Sequence, residues 1–282
     1  MSRRTAPAAV RWTAYVAVAI VFAIACAFLS NWQFTRNAER ANELALVEAN
    51  YDAEPVALAD VLPEGSQLAA TDKWQPVVLT GTYLSDQQLL VRNRAHGGTA
   101  AYEVLVPLQL DDGRVIVVDR GWLAPGSAQP EPDEIPAAPE GDVTVVARLM
   151  PGEALPSSGR SAPEGQVPTI NLALIAETLP AAQADRLELS AYALMASEDP
   201  APATSPQQID APDADPGPHL SYAIQWILFA IMGFVFIGYI IRTEKRARLE
   251  DAEEREEREH RARLRKDRDA AEEDALLDAA ER

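Results

Sequence analysis

"LSYAIQWILFAIMGFVFIGYII", Leu220 to Ile241, runs for 22 residues without a charge or a proline. As a helix rising about 1.5 Å per residue, it covers a hydrocarbon core of about 30 Å. A second such stretch lies near the other end of the chain, "TAYVAVAIVFAIACAFL", the 17 residues from Thr13 to Leu29. Both read as transmembrane helices. Arg3, Arg4 and Arg11 precede the first, and Arg242, Lys245, Arg246 and Arg248 follow the second. Basic residues stay on the cytoplasmic side, so both termini are expected there and everything between the spans outside. The first stretch also has the basic start of an export signal, and Cys26 in "AIAC" has the look of a lipoprotein cleavage site. Two features favour a retained anchor: Ala23 stands where a larger aliphatic residue is expected, and the apolar run continues through Leu29.

Charge is spread unevenly. Of a formal net charge of −18, the segment from Asn31 to Pro218 holds 28 acidic and 10 basic residues. A segment this acidic repels nucleic acid. The one cysteine lies inside the first apolar run. The outer part therefore has no disulfide and needs a hydrophobic core.

Helical character continues through "SNWQFTRNAERANELALVEANYD", with Asn31 and Trp32 at the interface. Pro55, Pro63 and Gly65 then break "EPVALADVLPEGSQL" into a loop or short helix. From Trp74 the pattern turns to β, first in "WQPVVLTGTYL" and "QLLVRNR". In "YEVLVPLQLDDGRVIVVDRGWL", Asp111-Asp112-Gly113 joins two apolar runs as an antiparallel hairpin. "DVTVVARLM" is a further strand, "VPTINLALIAETL" a strand passing into a short helix, and "DRLELSAYALM" a last strand. Such strands make a β-rich domain, sandwich or barrel. "ASEDPAPATSPQQIDAPDADPGP" is a linker unable to bury a core. The tail has Glu-to-Arg pairs four apart, such as Glu254 with Arg258 and Glu257 with Arg261, and reads as a solvated helix.

The expected fold is an α+β membrane protein with two transmembrane helices enclosing a β-rich extracytoplasmic domain. Its parts are a cytoplasmic N-terminus (1–11), a first span (12–30), the β-rich domain (31–196), a Pro/Asp-rich linker (197–218), a second span (219–241) and a charged helical cytoplasmic tail (242–282).

The common catalytic motifs are missing: there are no paired metal-binding cysteines, no HExxH, no GxSxG and no phosphate-binding glycine loop. Asp111 and Asp112 read as turn residues. Among three histidines, His219 stands apart because it opens the second span. On a helix His219, Tyr222, Ala223, Trp226, Ala230 and Gly233 fall three or four apart, aromatic at one end and small further in. Small residues admit a second helix or a flat macrocycle, and Ala19, Ala23 and Ala27 offer a matching surface. Two readings follow: an imidazole ligand for haem iron beside an aromatic wall, or a polar and aromatic anchor at a helix end. Arg92 and Arg94 in "LLVRNRAHGG" and Arg120 in "VVDRGW" are scarce cations in an acidic domain. They suit a propionate or a partner's carboxylate, or, for Arg120, a neighbouring acid that holds its turn. His96, in a glycine-rich loop, and His260, in the tail, read as solvated.

Taken in order, "LSNWQFTRNAER", "GTYL", "LLVRNR", "YEVLVPLQLDDGRVIVVDRGWLAPG", "GDVTVVARL" and "PHLSYAIQWILFA" resemble the Surfeit locus protein 1 family of cytochrome c oxidase assembly factors. The more specific blocks are "VDRGW" and the histidine, Tyr-Ala and tryptophan that open the last span. The resemblance implies a non-enzymatic assembly factor in the cell membrane, with oxidase subunit I and haem a synthase as partners and haem a bound in transit. It implies His219 as ligand to the haem iron, Tyr222 and Trp226 as walls, and Arg92, Arg94 and Arg120 as contacts for propionates or a partner. The family commonly has an asparagine shortly before this histidine, where this chain reads Gly217-Pro218. The alternative is a cofactor-free membrane scaffold that stabilises oxidase subunits. An enzyme acting on envelope or lipid substrates is a third reading, which requires a pocket with perturbed acids and a histidine.

Overall fold

The computed structural model describes residues 7–96, 98–159 and 161–280; Arg3, Arg4 and the last two residues of the tail lie outside them. In chain order the elements are α1 (Ala8–Asn50), β1 (Val56–Ala57), α2 (Leu58–Val61), β2 (Pro76–Tyr83), β3 (Leu89–His96), β4 (Thr99–Leu110), β5 (Val115–Leu123), β6 (Asp142–Pro151), β7 (Gln166–Val167), α3 (Leu172–Ala176), α4 (Ala181–Ala184), β8 (Ala191–Asp199) and α5 (His219–Ala280). They form two units, residues 1–39 with 216–282 and residues 40–215.

In the second unit the hairpin forms where Asp-Asp-Gly predicts it. Leu110 N–H donates to Arg114 O at 2.8 Å, Asp112 Oδ1 accepts from Arg114 N–H at 2.9 Å, and Gly113 takes a φ of +89°. β4 and β5 then pair antiparallel from Gln109 opposite Val115 to Tyr102 opposite Leu123. Both faces of this hairpin are buried, which is why its apolar runs are nearly continuous instead of alternating. Val104, Val106, Leu108, Ile116 and Val118 join Leu79, Val145, Leu149 and Met195 in one core. Leu105, Val115 and Val117 join Val91, Val167, Ile170, Leu172 and Ile175 in a second core on the opposite face.

The sheet order is β1-β2-β6-β8-β5-β4-β3-β7, and β2 also pairs with β4. β2, β6, β8, β5 and β4 therefore close a ring, so the sandwich-or-barrel choice resolves to a barrel, with the first core inside it. Closure depends on Gly81, which pairs with Val143 of β6 and Leu110 of β4. A Cβ at Gly81 would stand 2.0 Å from Gln109 O, so no side chain fits between β2 and β4.

Two boundaries differ from the sequence reading. β8 runs to Asp199, beyond the predicted start of the linker, because Ser197, Glu198 and Asp199 pair with Val146, Val145 and Thr144. Within the linker, Gln207 and Trp122 exchange backbone hydrogen bonds of 2.8 and 2.9 Å. Backbone pairing of this kind leaves no hydropathy signal.

In the first unit, segments within α1 and α5 are long and apolar enough to cross a membrane. α5 continues unbroken into the charged tail, where Arg258 donates to Glu254 at 2.9 Å and Arg261 to Glu257 at 2.6 Å.

Gly81→Ala is expected to lower the unfolding free energy by about 1–3 kcal/mol through overpacking at the closure, whereas Thr144→Ala, on an exposed β6 position, shifts it by about 0.5 kcal/mol or less. Denaturant melts followed by near-ultraviolet circular dichroism check the difference.

Candidate functional site

In the first unit, α1 and α5 pack antiparallel along one stripe each. Ala19, Ala23, Cys26, Ser30 and Gln33 of α1 are buried or half-buried, as are His219, Ala223, Trp226, Ala230 and Gly233 of α5. Ala27 is exposed, which corrects the predicted Ala19–Ala23–Ala27 face: Cys26 and Ser30 complete it instead. The register is pinned at several levels. Trp12 Nε1 donates to Glu244 Oε2 at 3.0 Å, beside an Arg11–Glu244 ion pair. A Cβ on Gly233 would lie 3.1 Å from Phe22 Cδ1. Ser30 Oγ donates to Ala223 O at 3.0 Å, and His219 Nδ1 lies 2.9 Å from Gln33 Oε1.

His219 is the first residue of α5. Gly217, with φ +73°, turns the chain between two prolines, and Tyr222 N–H closes the first turn on Pro218 O at 3.1 Å. A Cβ at Gly217 would stand in van der Waals contact with one edge of the ring, 3.6 Å from His219 Cδ2 and 3.9 Å from Nε2. An amide oxygen only accepts, so the Gln33 contact is a hydrogen bond when Nδ1 carries the proton. Nε2 has no hydrogen-bond partner among the described residues. Tyr222 lies off the stripe and is 47% exposed, while Trp226 meets Phe229 edge-on at 5.7 Å. An imidazole with one nitrogen engaged and the other uncommitted, on a helix carrying aromatic surface, fits a haem. Among the described residues no three His, Cys, Asp or Glu side chains group as a metal site. Gln33 was not singled out from the sequence, although its 3-4 spacing from Cys26 and Ser30 places it on the small-residue stripe.

The predicted arginines belong to the second unit. Arg120 is 0% exposed. Its Nε and Nη2 donate to Glu198 at 3.2 and 2.6 Å, and its Nη1 to Pro136 O at 3.1 Å. Tyr83 also donates to Glu198, at 3.0 Å, and burial followed by the Glu198 charge pushes the phenol above its ordinary value. The acid partner foreseen as one option for Arg120 is thus Glu198. The rest of "VDRGW" is equally committed to the fold. Asp119 Oδ1 accepts from Gly121 N–H at 3.0 Å; Gly121, at φ +123°, leaves no room for a Cβ, which would meet Gln207 O at 2.3 Å. Arg92 is half-buried, and its Nε has no hydrogen-bond acceptor among the described residues. With Asn93, Arg94, Ser161 and Pro168 it lines a recess of about 370 Å³.

Arg94 leads instead into a buried charge cluster. It donates to Glu153 at 2.8 and 3.2 Å, and its Nε stands 2.5 Å from Glu103 Oε2 as an ion pair without hydrogen-bond alignment. Burial opposes the Arg94 charge, but the Glu153 hydrogen bond and the Glu103 carboxylate outweigh it and hold the guanidinium above its ordinary value. His96 corrects its predicted solvated state: Nε2 lies 2.9 Å from Glu103 Oε1, and the ring stacks on Trp122 at 5.2 Å. Asp119 lies well above the usual carboxylate range, first through burial and then through the Glu103 charge. Here are the perturbed acids and the histidine that an enzyme reading asks for. Yet Glu103 and Asp119 are 3% and 1% exposed, and of this cluster only Arg94 reaches the recess. Glu103 and Asp119 are thus closed to a substrate, and Arg94 ties Glu103 to the half-buried Glu153.

Fold and placements together define a mixed α/β chain in which two apolar helices flank, in sequence, a closed β-barrel. A model of the SURF1 family matches residues 20–231, and the chain belongs to that family. An uncharacterized SURF1-like protein of Mycobacterium tuberculosis (strain ATCC 25618 / H37Rv) is 35% identical over 238 residues, covering 84% of this chain and 86% of that protein. A SURF1-like protein of Monosiga brevicollis is 33% identical over 113 residues, 36% of this chain and 42% of its own length. The cytochrome oxidase assembly protein SHY1 of Saccharomyces cerevisiae is 26% identical over 107 residues, 37% of this chain and 26% of the yeast protein.

The raised Asp119 gives a pH signature. Above the ordinary carboxylate range the unfolded chain releases the Asp119 proton while the fold retains it, so the stability it contributes is lost as pH rises toward the folded value. Asp119→Asn keeps an oxygen for Gly121 N–H and removes the titration. Its melting temperature relative to wild type is expected to climb as pH rises above the ordinary carboxylate range; a difference that stays constant with pH would contradict the buried-acid assignment.

Proposed function

We propose that this chain is a two-span membrane assembly factor for a haem-copper cytochrome oxidase, and that it holds haem a in transit through His219. Membership of the SURF1 family and the name of the yeast relative support the oxidase. The cargo rests on one observation: His219 offers an uncommitted Nε2 while Gln33 engages Nδ1. Bound there, haem a would supply an iron with affinity for an imidazole nitrogen, and His219 would hold it.

The spacing of polar contacts supports the membrane reading. Trp12 and Gln33, which meet Glu244 and His219, lie about 32 Å apart along α1 at helical rise, close to the thickness of a hydrocarbon core. Arg11, Lys245 and Arg248 gather at the Glu244 end; Lys245 Nζ stands 4.9 Å from the Trp12 ring centre, and Arg248 donates to Glu244 at 3.2 Å. By the bias of basic residues that end is cytoplasmic, and residues 31–218 are extracytoplasmic.

In this reading His219 would ligate, and Tyr222 and Trp226 add aromatic surface on the same helix; Arg92, in the other unit, offers a cation to a partner's carboxylates. Haem a synthase is the supplier and oxidase subunit I the receiver. Arg120 holds the barrel and takes no part in binding. No side chain is assigned a catalytic step.

The test is the haem a content of subunit I in membranes of a deletion strain carrying either wild type or His219→Ala at equal abundance. The expected result is a ratio well below half of wild type for the variant. A cofactor-free scaffold gives the opposite result, His219→Ala supporting normal oxidase; Arg120→Leu, which breaks a buried pair at about 3–5 kcal/mol, is the control for loss of the fold and fails under either reading.

A further inference from the structure

We infer that Gln33 is the positioning residue that sets the proton on His219: by accepting from Nδ1–H it fixes the tautomer in which Nε2 carries the free lone pair. The inference rests on the haem reading of His219 and deepens it by naming what makes this imidazole ready to ligate.

A neutral imidazole has one proton for two nitrogens, and the hydrogen bond made by one decides the state of the other. Gln33 presents its Oε1 and not its NH2 to Nδ1, at 2.9 Å; with the oxygen in that place the hydrogen bond needs Nδ1–H and leaves Nε2 basic. Remove the acceptor and the two tautomers compete, with the Nε2–H form unable to bind iron until it loses that proton. Both side chains are half-buried, which limits competition from water. Helix packing also holds the amide in place: Ser30, three residues earlier on the same stripe, is already fixed on Ala223 O at 3.0 Å. A Cβ at Gly217 would touch one edge of the ring, 3.9 Å from Nε2, a contact the glycine leaves unmade. The arrangement is a ligand histidine oriented by a neighbour on its other nitrogen. Here the neighbour comes from α1, far away in sequence, so the ligand is complete only when the two helices pair.

The test uses the full-length chain in detergent, free of haem, with nitrogen-15 in its three histidines. Spectra are taken above the imidazole titration, and His219 is assigned by its loss in His219→Ala. Wild type and Gln33→Glu, which keeps an accepting oxygen, are expected in the Nδ1–H form. Gln33→Leu is expected to move toward Nε2–H, and in a haem a titration to bind roughly 10–100-fold more weakly than wild type, while Gln33→Glu stays near wild type. An Nε2–H tautomer in wild type, or the same tautomer in wild type and Gln33→Leu, overturns the inference. If the tautomers behave as expected but His219→Ala binds haem a as tightly as wild type, it is the haem reading that falls. If His219→Ala loses haem a while Gln33→Leu keeps both tautomer and affinity, the haem reading stands and Gln33 has no part in it.

Discussion

The close approach of α1 and α5 is the constraint on which the candidate site depends. In the membrane setting proposed for them, lipid chains are as apolar as the side chains they surround, so such helices gain little from hiding apolar surface and associate through tight packing and hydrogen bonds. Small residues make that possible here, with Ala19, Ala23, Cys26 and Ser30 on one helix and Ala223, Ala230 and Gly233 on the other. Because a Cβ at Gly233 would crowd the Phe22 ring, the register has little freedom. A slip of one residue would rotate each contact by about 100° around the helix and part Gln33 from His219. Packing thus fixes register, register fixes a hydrogen bond, and the hydrogen bond decides which nitrogen is free.

The barrel obeys a different rule. Its ring closes through a backbone approach at Gly81, and its interior accepts one ion pair, Arg120 with Glu198. A buried pair of this kind adds little over apolar packing, but neither partner tolerates loss of the other. With the Tyr83 hydroxyl on the same carboxylate, it ties β2, β5 and β8 at one point. The most distinctive block of the sequence, "VDRGW", is accordingly explained by folding. Asp119 and Gly121 shape the strand, Arg120 is spent inside, and Trp122 stacks on His96 while exchanging backbone hydrogen bonds with Gln207.

Much of this was legible in the sequence. Charge-free runs gave the helices, Asp-Asp-Gly gave the hairpin, and the order of blocks gave the family. What escaped depended on partners distant in the chain. Glu198 lies in a stretch that reads as linker, and nothing local marks it as the acid for Arg120. His96 sits beside glycines, yet Glu103 and Trp122 on neighbouring strands enclose it. Counting every fourth residue chose Ala27, but each step of four overshoots a helical turn by about 40°. Alternating steps of four and three keep to the face, and that count passes through Cys26 and Ser30 to Gln33. A glutamine just outside an apolar run looks unremarkable until its position on that face is counted.

The most direct measurement is an absorption spectrum of the detergent-purified full-length chain, co-expressed with haem a synthesis, beside His219→Ala prepared identically. A haem a signal in wild type that is lost in the variant, with both equally folded, is the expected result. Equal signals in the two, or no signal in either despite a demonstrated haem a supply, would contradict the account and leave His219 as a polar anchor at the start of a helix.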